Sequence, residues 1–365
     1  MYVIHKTAGP WMLMFHENMF VQFLRESGSR GADQFGSVNW AMGMAQRSFG
    51  RGRLGLRAMF SAEPLTIGGC GYPDLLASGE RCQGEPIHDR QHPHDVFMEL
   101  SASYDAALAG QTRWQLYVAP SGEPALGPVA FPHRVSAMAS PLAPISHHWM
   151  DATHISFGVV TGGVYSQRWK AEASVFNGRE PDEQRADIEL GKLDSVSGRV
   201  WFLPTARVAV QFSMGQLTEA EQGEHGGPRV DVLRTTASLS YHRPLKENSI
   251  WATTIAWGNN SESGRRSNGL LLETTVALDD RDTWYGRAEL VGKNAHDLAV
   301  ADSHEEFTVA KIQGGYTRYL HSLGAFQPGV GAGISIGIVP ETLKGEYGKR
   351  ANVGAAVYLT LRPAR

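Results

Sequence analysis

Apolar and polar side chains alternate with period two down nearly the whole chain. In residues 53–61, Leu54, Leu56, Ala58 and Phe60 alternate with Gly55, Arg57, Met59 and Ser61. In 168–177, Trp169, Ala171, Ala173 and Val175 alternate with Arg168, Lys170, Glu172 and Ser174. In 206–216, Val208, Val210, Phe212 and Met214 stand against Arg207, Ala209, Gln211 and Ser213. Successive side chains of a strand point to opposite faces, so each segment reads as a strand with one apolar face. Sixteen segments follow the pattern: 11–24, 38–47, 53–61, 96–107, 112–119, 154–165, 168–177, 194–202, 206–216, 231–242, 249–258, 268–278, 283–292, 305–320, 325–338 and 351–362. The first is the least regular, because Glu17 interrupts it, and it reads equally as an amphipathic helix.

The connections between these segments sort by length. Short links alternate with long ones near 25–37, 62–95, 120–153, 178–193, 217–230, 259–267, 293–304 and 339–350. A soluble sandwich has no reason to place its long loops at one end. A transmembrane antiparallel β-barrel has long external loops, short periplasmic turns and an even strand count. It must also close, because lipid cannot satisfy an open edge. The expected architecture is therefore all-β, a single barrel of about sixteen strands over residues 1–365. The polar faces carry Arg57, Arg113, Lys170, Arg199, Arg207, Arg234, Arg287, Lys311 and Arg362 with Glu99, Glu172, Glu273 and Glu289. In a barrel these line a wet lumen, and nine basic against four acidic groups imply a weak anion bias. Trp40, Trp114, Trp169, Trp251, Trp257 and Trp284 fall on the apolar face, where an interfacial girdle would sit.

Composition adds limits. The 365 residues carry a formal charge of −3, which excludes a polybasic nucleic-acid binder. No apolar run reaches the ~18 residues of a membrane-spanning helix. Residues 1–10 hold one lysine and no apolar core, so they do not read as a secretory signal, and the sequence as given lacks one. Cys70 and Cys82, in a glycine-rich stretch, are candidates for a loop disulfide in an exported protein.

The stretches HDRQHPHDVFMELSASY (88–104), APISHHWMDATHISFGVVTGG (143–163) and FNGREPDE (176–183) resemble a family of Gram-negative outer-membrane, porin-like β-barrel proteins. The resemblance implies an outer-membrane location, with the bilayer and its lipopolysaccharide as surroundings, but brings no activity. In porins the third external loop folds inward and constricts the pore. By that resemblance 120–153 becomes a constriction or lid loop, with Arg134, His147, His148 and Asp151 at the narrowest point.

Seven of the 14 histidines fall on two loop regions. His88, His92 and His94 lie in the second long connection, and His133, His147, His148 and His154 in or just after the third, with Asp151 nearby. Imidazole and carboxylate together suit Zn²⁺, Cu²⁺ or Ni²⁺. His88, His92, His94, His147, His148, Asp151 and His154 are accordingly candidate ligands, although a hydrogen-bonded polar loop cluster reads as well. No HExxH, P-loop or CxxC motif is present, and no catalytic residue is assigned. The expected function is passage of small polar solutes or ions. Metal binding on an outer-membrane platform is the alternative, and an outer-membrane enzyme is third.

Overall fold

The computed structural model describes residues 2–222, 227–300 and 305–364. The chain opens with β1 (Ile4–Ala8), β2 (Trp11–Glu26), β3 (Asp33–Phe49) and β4 (Gly52–Phe60), then a hairpin of β5 (Tyr72–Cys82) and β6 (Glu85–Gln91). It continues with β7 (Phe97–Ala109), β8 (Thr112–Gly122), β9 (Ser156–Tyr165), β10 (Trp169–Phe176), β11 (Ser195–Thr205) and β12 (Val208–Glu221). β13 (Val230–Pro244), β14 (Ile250–Glu262), β15 (Arg265–Leu278), β16 (Asp282–Asn294), β17 (Glu306–Tyr319), β18 (Phe326–Ile338) and β19 (Ala351–Pro363) complete it. Sixteen of these, β2–β4 and β7–β19, pair antiparallel in sequence order. β19 closes the ring on β2, from Gly354↔Glu26 to Leu361↔Met19. The segment 11–24, ambiguous in sequence, is strand throughout, and β1 pairs with its first half, Ile4↔Phe15 to Ala8↔Trp11.

Burial is inverted relative to a soluble sheet. Val210, Phe212, Met214, Ile255, Leu272, Ile312, Ile334 and Val357 are exposed on the outer face. Gln211, Ser213, Thr254, Glu273, Lys311 and Ser335, their neighbours along the same strands, are buried inside. Trp169, Trp251 and Trp284 point outward. Trp40 does not: it is 6% exposed and its ring meets those of His16 and His133 in the interior. An indole is apolar wherever it points, so the pattern alone placed it on the wrong face. None of the described residues forms a helix long and apolar enough to cross a membrane.

The connections at one end are short, such as 50–51, 110–111 and 206–207, and most at the other are long. Two sequence expectations fail here. Arg207 does not line the lumen, because it is exposed in the turn 206–207. The connection expected at 259–267 is only Ser263-Gly264, both at positive φ (48° and 82°), as a two-residue hairpin turn of the right twist requires. β14 and β15 stay paired up to Glu262↔Arg265, and their polar tips had read as loop.

Long connections return into the barrel. Residues 61–96 hold α1 (Glu63–Thr66) and the β5–β6 hairpin, and Cys70 is bonded to Cys82. Residues 123–155 hold α2 (His147–Met150) and a short 3₁₀ turn, Ala152–His154. Leu75 and Leu76 of the first and Ile145, Trp149 and Met150 of the second join inward Ala256, Leu271, Val291 and Val309 in one apolar cluster. The interior at this end is a packed core, which is why strand alternation weakens there: Leu290 is exposed outside while Val291 is fully buried inside. The disulfide closes a loop with a sequence separation of 12, a constraint worth about 3 kcal/mol. A Cys70→Ser/Cys82→Ser variant is therefore expected to keep its barrel but to be cut within 61–96 by protease faster than the parent, which a timed digest resolves.

Candidate functional site: the loop-filled lumen

The segment 123–155 crosses the interior along a row of inward polar side chains. Its backbone N–H groups at Ala125 and Gly127 donate to Ser174 (2.7 Å) and Ser213 (2.8 Å). Arg287 donates to the carbonyls of Leu142 (2.6 Å) and Ala143 (3.0 Å). Glu289 accepts from the backbone and hydroxyl of Ser146 (3.0 and 2.7 Å). Asn260 donates to the His148 carbonyl, and Trp149 Nε1 to Ser267. At the centre Arg134 Nη1 meets Asp151 (2.8 Å) and its Nε meets Glu273 (2.5 Å), with every partner at most 3% exposed. Ser136 bridges Thr254 and Glu273. Burial alone would raise the Asp151 carboxyl, but Arg134 and His147 hold it below the usual carboxylate range.

The segment 61–96 is anchored differently. Lys311 on β17 donates to Asp74 (2.6 Å), to Glu26 (3.2 Å) and to the Leu75 carbonyl (3.2 Å). Asp89 accepts from the Leu76 N–H and pairs with Arg30 (2.7 Å). Arg185, from the connection 177–194, meets Glu80 (2.5 Å), with Asp95 at 3.8 Å. Insertion of 61–96 was missed by sequence reasoning; the adjacent Leu75-Leu76 beside Asp74 in a glycine-rich loop was the available signal.

The other expected lumen residues divide between two ends. A cavity of about 510 Å³ at the short-turn end is walled by Arg57, Lys170, Arg199, Glu99 and Glu172, together with Arg53, Asp105 and Glu123. Arg199 bridges Glu172 (2.9 Å) and Glu123 (2.7 Å), and Lys170 pairs with Glu172 (2.5 Å). Arg113 sits at the mouth on Asp105 (2.6 Å), and Arg362 is wedged between the rings of Tyr2 and Tyr319 and donates to Gln327. Arg234 lies buried near the long-connection end, bonded to Asn260 (2.9 Å). A second cavity, of about 210 Å³, opens at that end, and the two share no lining residue. The basic excess expected from the strands is thus offset by further acids, Glu26 at the end of β2 and Asp74, Glu123 and Asp151 of the inserted segments. Parts of the long connections 217–230 and 293–304, at 223–226 and 301–304, lie outside the described residues.

Five histidines of the two inserted segments converge. Ring nitrogens of His92, His147 and His148 all lie within 4.8 Å of one another, and all three residues are buried. His154 packs on His147 (ring centroids 5.1 Å) and His94 on His154 (5.2 Å). His88 is not part of the group, since it sits beside His296 and bonds the Asp297 carbonyl. Asp151 is not positioned as a ligand either; it is committed to His147 Nδ1 (2.7 Å) and Arg134. His133 meets Trp40 edge to face (ring centroids 4.9 Å, interplanar angle 86°), away from the cluster. His92 Nδ1 lies 3.1 Å from Glu80, His94 Nδ1 2.9 Å from Glu63 and His148 Nδ1 3.3 Å from Glu180. Burial holds the His92 imidazole well below its usual pKa and that of His147 at about 4, so both rings are neutral near pH 7. Gly79 lies against the His148 ring at φ +123°, where a Cβ would collide with it.

No protein-family model matches the chain, and no curated protein matches it. Solved structures do. The chain is similar to OmpF of Salmonella typhi in complex with daunomycin (TM-score 0.57, 11% identity, 98% of this chain and 100% of that one). It is also similar to the anion-selective porin of Comamonas acidovorans (0.56, 10%, 96% and 99%). A third is the outer-membrane channel DcaP of Acinetobacter baumannii (0.53, 7%, 97% and 99%). At such identities the likeness establishes the barrel fold.

Proposed function

We propose that the protein is a porin-like channel of the Gram-negative outer membrane, passing small polar solutes or ions through a lumen narrowed by 123–155. The observation that carries this reading is the inverted burial. Apolar side chains coat a closed ring of antiparallel strands, while charged groups surround an internal cavity of about 510 Å³. The similar structures, among them an outer-membrane channel and an anion-selective porin, support the same reading. The surroundings on this reading are the bilayer and its lipopolysaccharide, and the role is passive and not enzymatic.

Any anion preference is weak. Arg53, Arg57, Lys170 and Arg199 around the cavity stand against Glu99, Asp105, Glu123 and Glu172, so opposed charges screen one another along the path. Proteoliposomes carrying the folded chain are expected to swell in isotonic solutions of small sugars and amino acids, faster than empty vesicles. The rates should differ little between anionic and cationic solutes of one size. Swelling no faster than that of empty vesicles, with heat-modifiable barrel in the membrane, contradicts the proposal.

A further inference from the structure

A cluster of imidazoles is costly to bury without partners, and the one between the inserted segments has a particular arrangement. Nδ1 of each ring has a neighbour: His92 Nδ1 bonds the Pro93 carbonyl with Glu80 at 3.1 Å, His147 Nδ1 meets Asp151 and His148 Nδ1 meets Glu180. Nε2 of His92 and Nε2 of His148 are buried with no hydrogen-bond partner. A carboxylate on one ring nitrogen with the other left free is how proteins orient a histidine toward a metal ion. His92 is 7% exposed, His147 2% and His148 8%, so bulk water does not take the partner's place.

We propose that His92, His147 and His148 form a binding site for a divalent first-row transition metal ion, Zn²⁺ or Cu²⁺. Three imidazoles supply the borderline-soft nitrogen donors these ions prefer and leave a fourth position open. Ring nitrogens now within 4.8 Å need to close to about 3.4 Å for bonds of about 2.0–2.1 Å, a change within reach of side-chain rotation. An entry path is present. His148 borders the cavity at the long-connection end, whose walls carry Glu80, Glu180, Glu221, Glu262 and Asp297 against the arginines Arg81 and Arg229. That excess of carboxylates concentrates cations at the mouth of the site. His92 comes from 61–96 and His147 and His148 from 123–155, so a bound ion ties the two inserted segments to each other.

The site stands independently of whether the channel conducts, and its test is a binding measurement. Tag-free protein in detergent, incubated with Zn²⁺ and passed through gel filtration, is expected to retain one ion per chain. Loaded with Cu²⁺, it should give an electron paramagnetic resonance spectrum split by several imidazole nitrogens, and its unfolding temperature should rise. His92→Ala and His148→Ala should each abolish retention and the nitrogen splitting, whereas His88→Ala should bind as the parent does. Glu180→Gln, which spares all three rings, should weaken binding roughly 10–100-fold. The proposal is overturned if the parent retains no Zn²⁺ or Cu²⁺ at micromolar concentrations. It is equally overturned if Cu²⁺ shows oxygen ligation alone, a result that needs no variant to fold, or if the His92→Ala/His148→Ala double variant binds undiminished.

Discussion

Arg134→Ala is expected to release the segment 123–155 from the barrel interior while leaving the wall intact. Arg134 is buried and faces two carboxylates, Asp151 at 2.8 Å and Glu273 at 2.5 Å, both essentially inaccessible to water. Removing one member of a buried ion group strands the remaining charges, at a cost of about 3–5 kcal/mol. The strand ladders do not depend on Arg134, so the loss falls on the docking of the segment, which also hangs from Arg287, Glu289 and Ser213. The expected result is a segment newly open to protease and a larger, noisier conductance. Because uncompensated charge is the cause, the triple variant Arg134→Met/Asp151→Asn/Glu273→Gln should recover most of the parent's protection. An Arg134→Ala protein indistinguishable from the parent in both readouts would show that this anchor is idle.

Lys311→Met should do the same to the other inserted segment. Lys311 is 1% exposed and is the point where Asp74 of the β5–β6 hairpin, Glu26 of β2 and the Leu75 carbonyl meet. Methionine fills a similar volume with no charge, which leaves two buried carboxylates against each other and costs on the order of 3–5 kcal/mol. Leu75 and Leu76 would then leave the apolar cluster they share with Trp149 and Val309. The sensitive reporter is the Cys70–Cys82 bond within the same segment, which should be reduced by a mild thiol several times faster in the variant. Lys311→Met/Asp74→Asn/Glu26→Gln should return toward the parental rate. Equal reduction rates in the parent and the single variant would contradict the role given to Lys311.

The barrel was legible because lipid-facing strands repeat a simple rule, apolar out and polar in, over most of the chain. The rule fails where its premise fails. Val291 and Val309 face inward because the lumen at that end is packed protein and not water. Trp40 turns in to meet His16 and His133, and Arg207 sits one residue beyond the wall. The polar tips of β14 and β15 read as loop although they are paired strand. In the histidine group the sequence offered the right residue types but not the partners. His92 is 55 positions from His147, a separation that no spacing rule bridges, and only the insertion of both segments brings the rings together. The same insertion supplies the acids Asp74, Glu123 and Asp151, which a count of strand residues could not include.

A channel whose width is set by the crossing segment should reveal itself in single-channel conductance in planar bilayers. The parent and a variant with 124–152 replaced by a short glycine–serine link would be compared in the same salt. Small steps are expected from the parent and steps several-fold larger from the variant. Steps of equal size from the two proteins, or none from either while both barrels are folded, would contradict it.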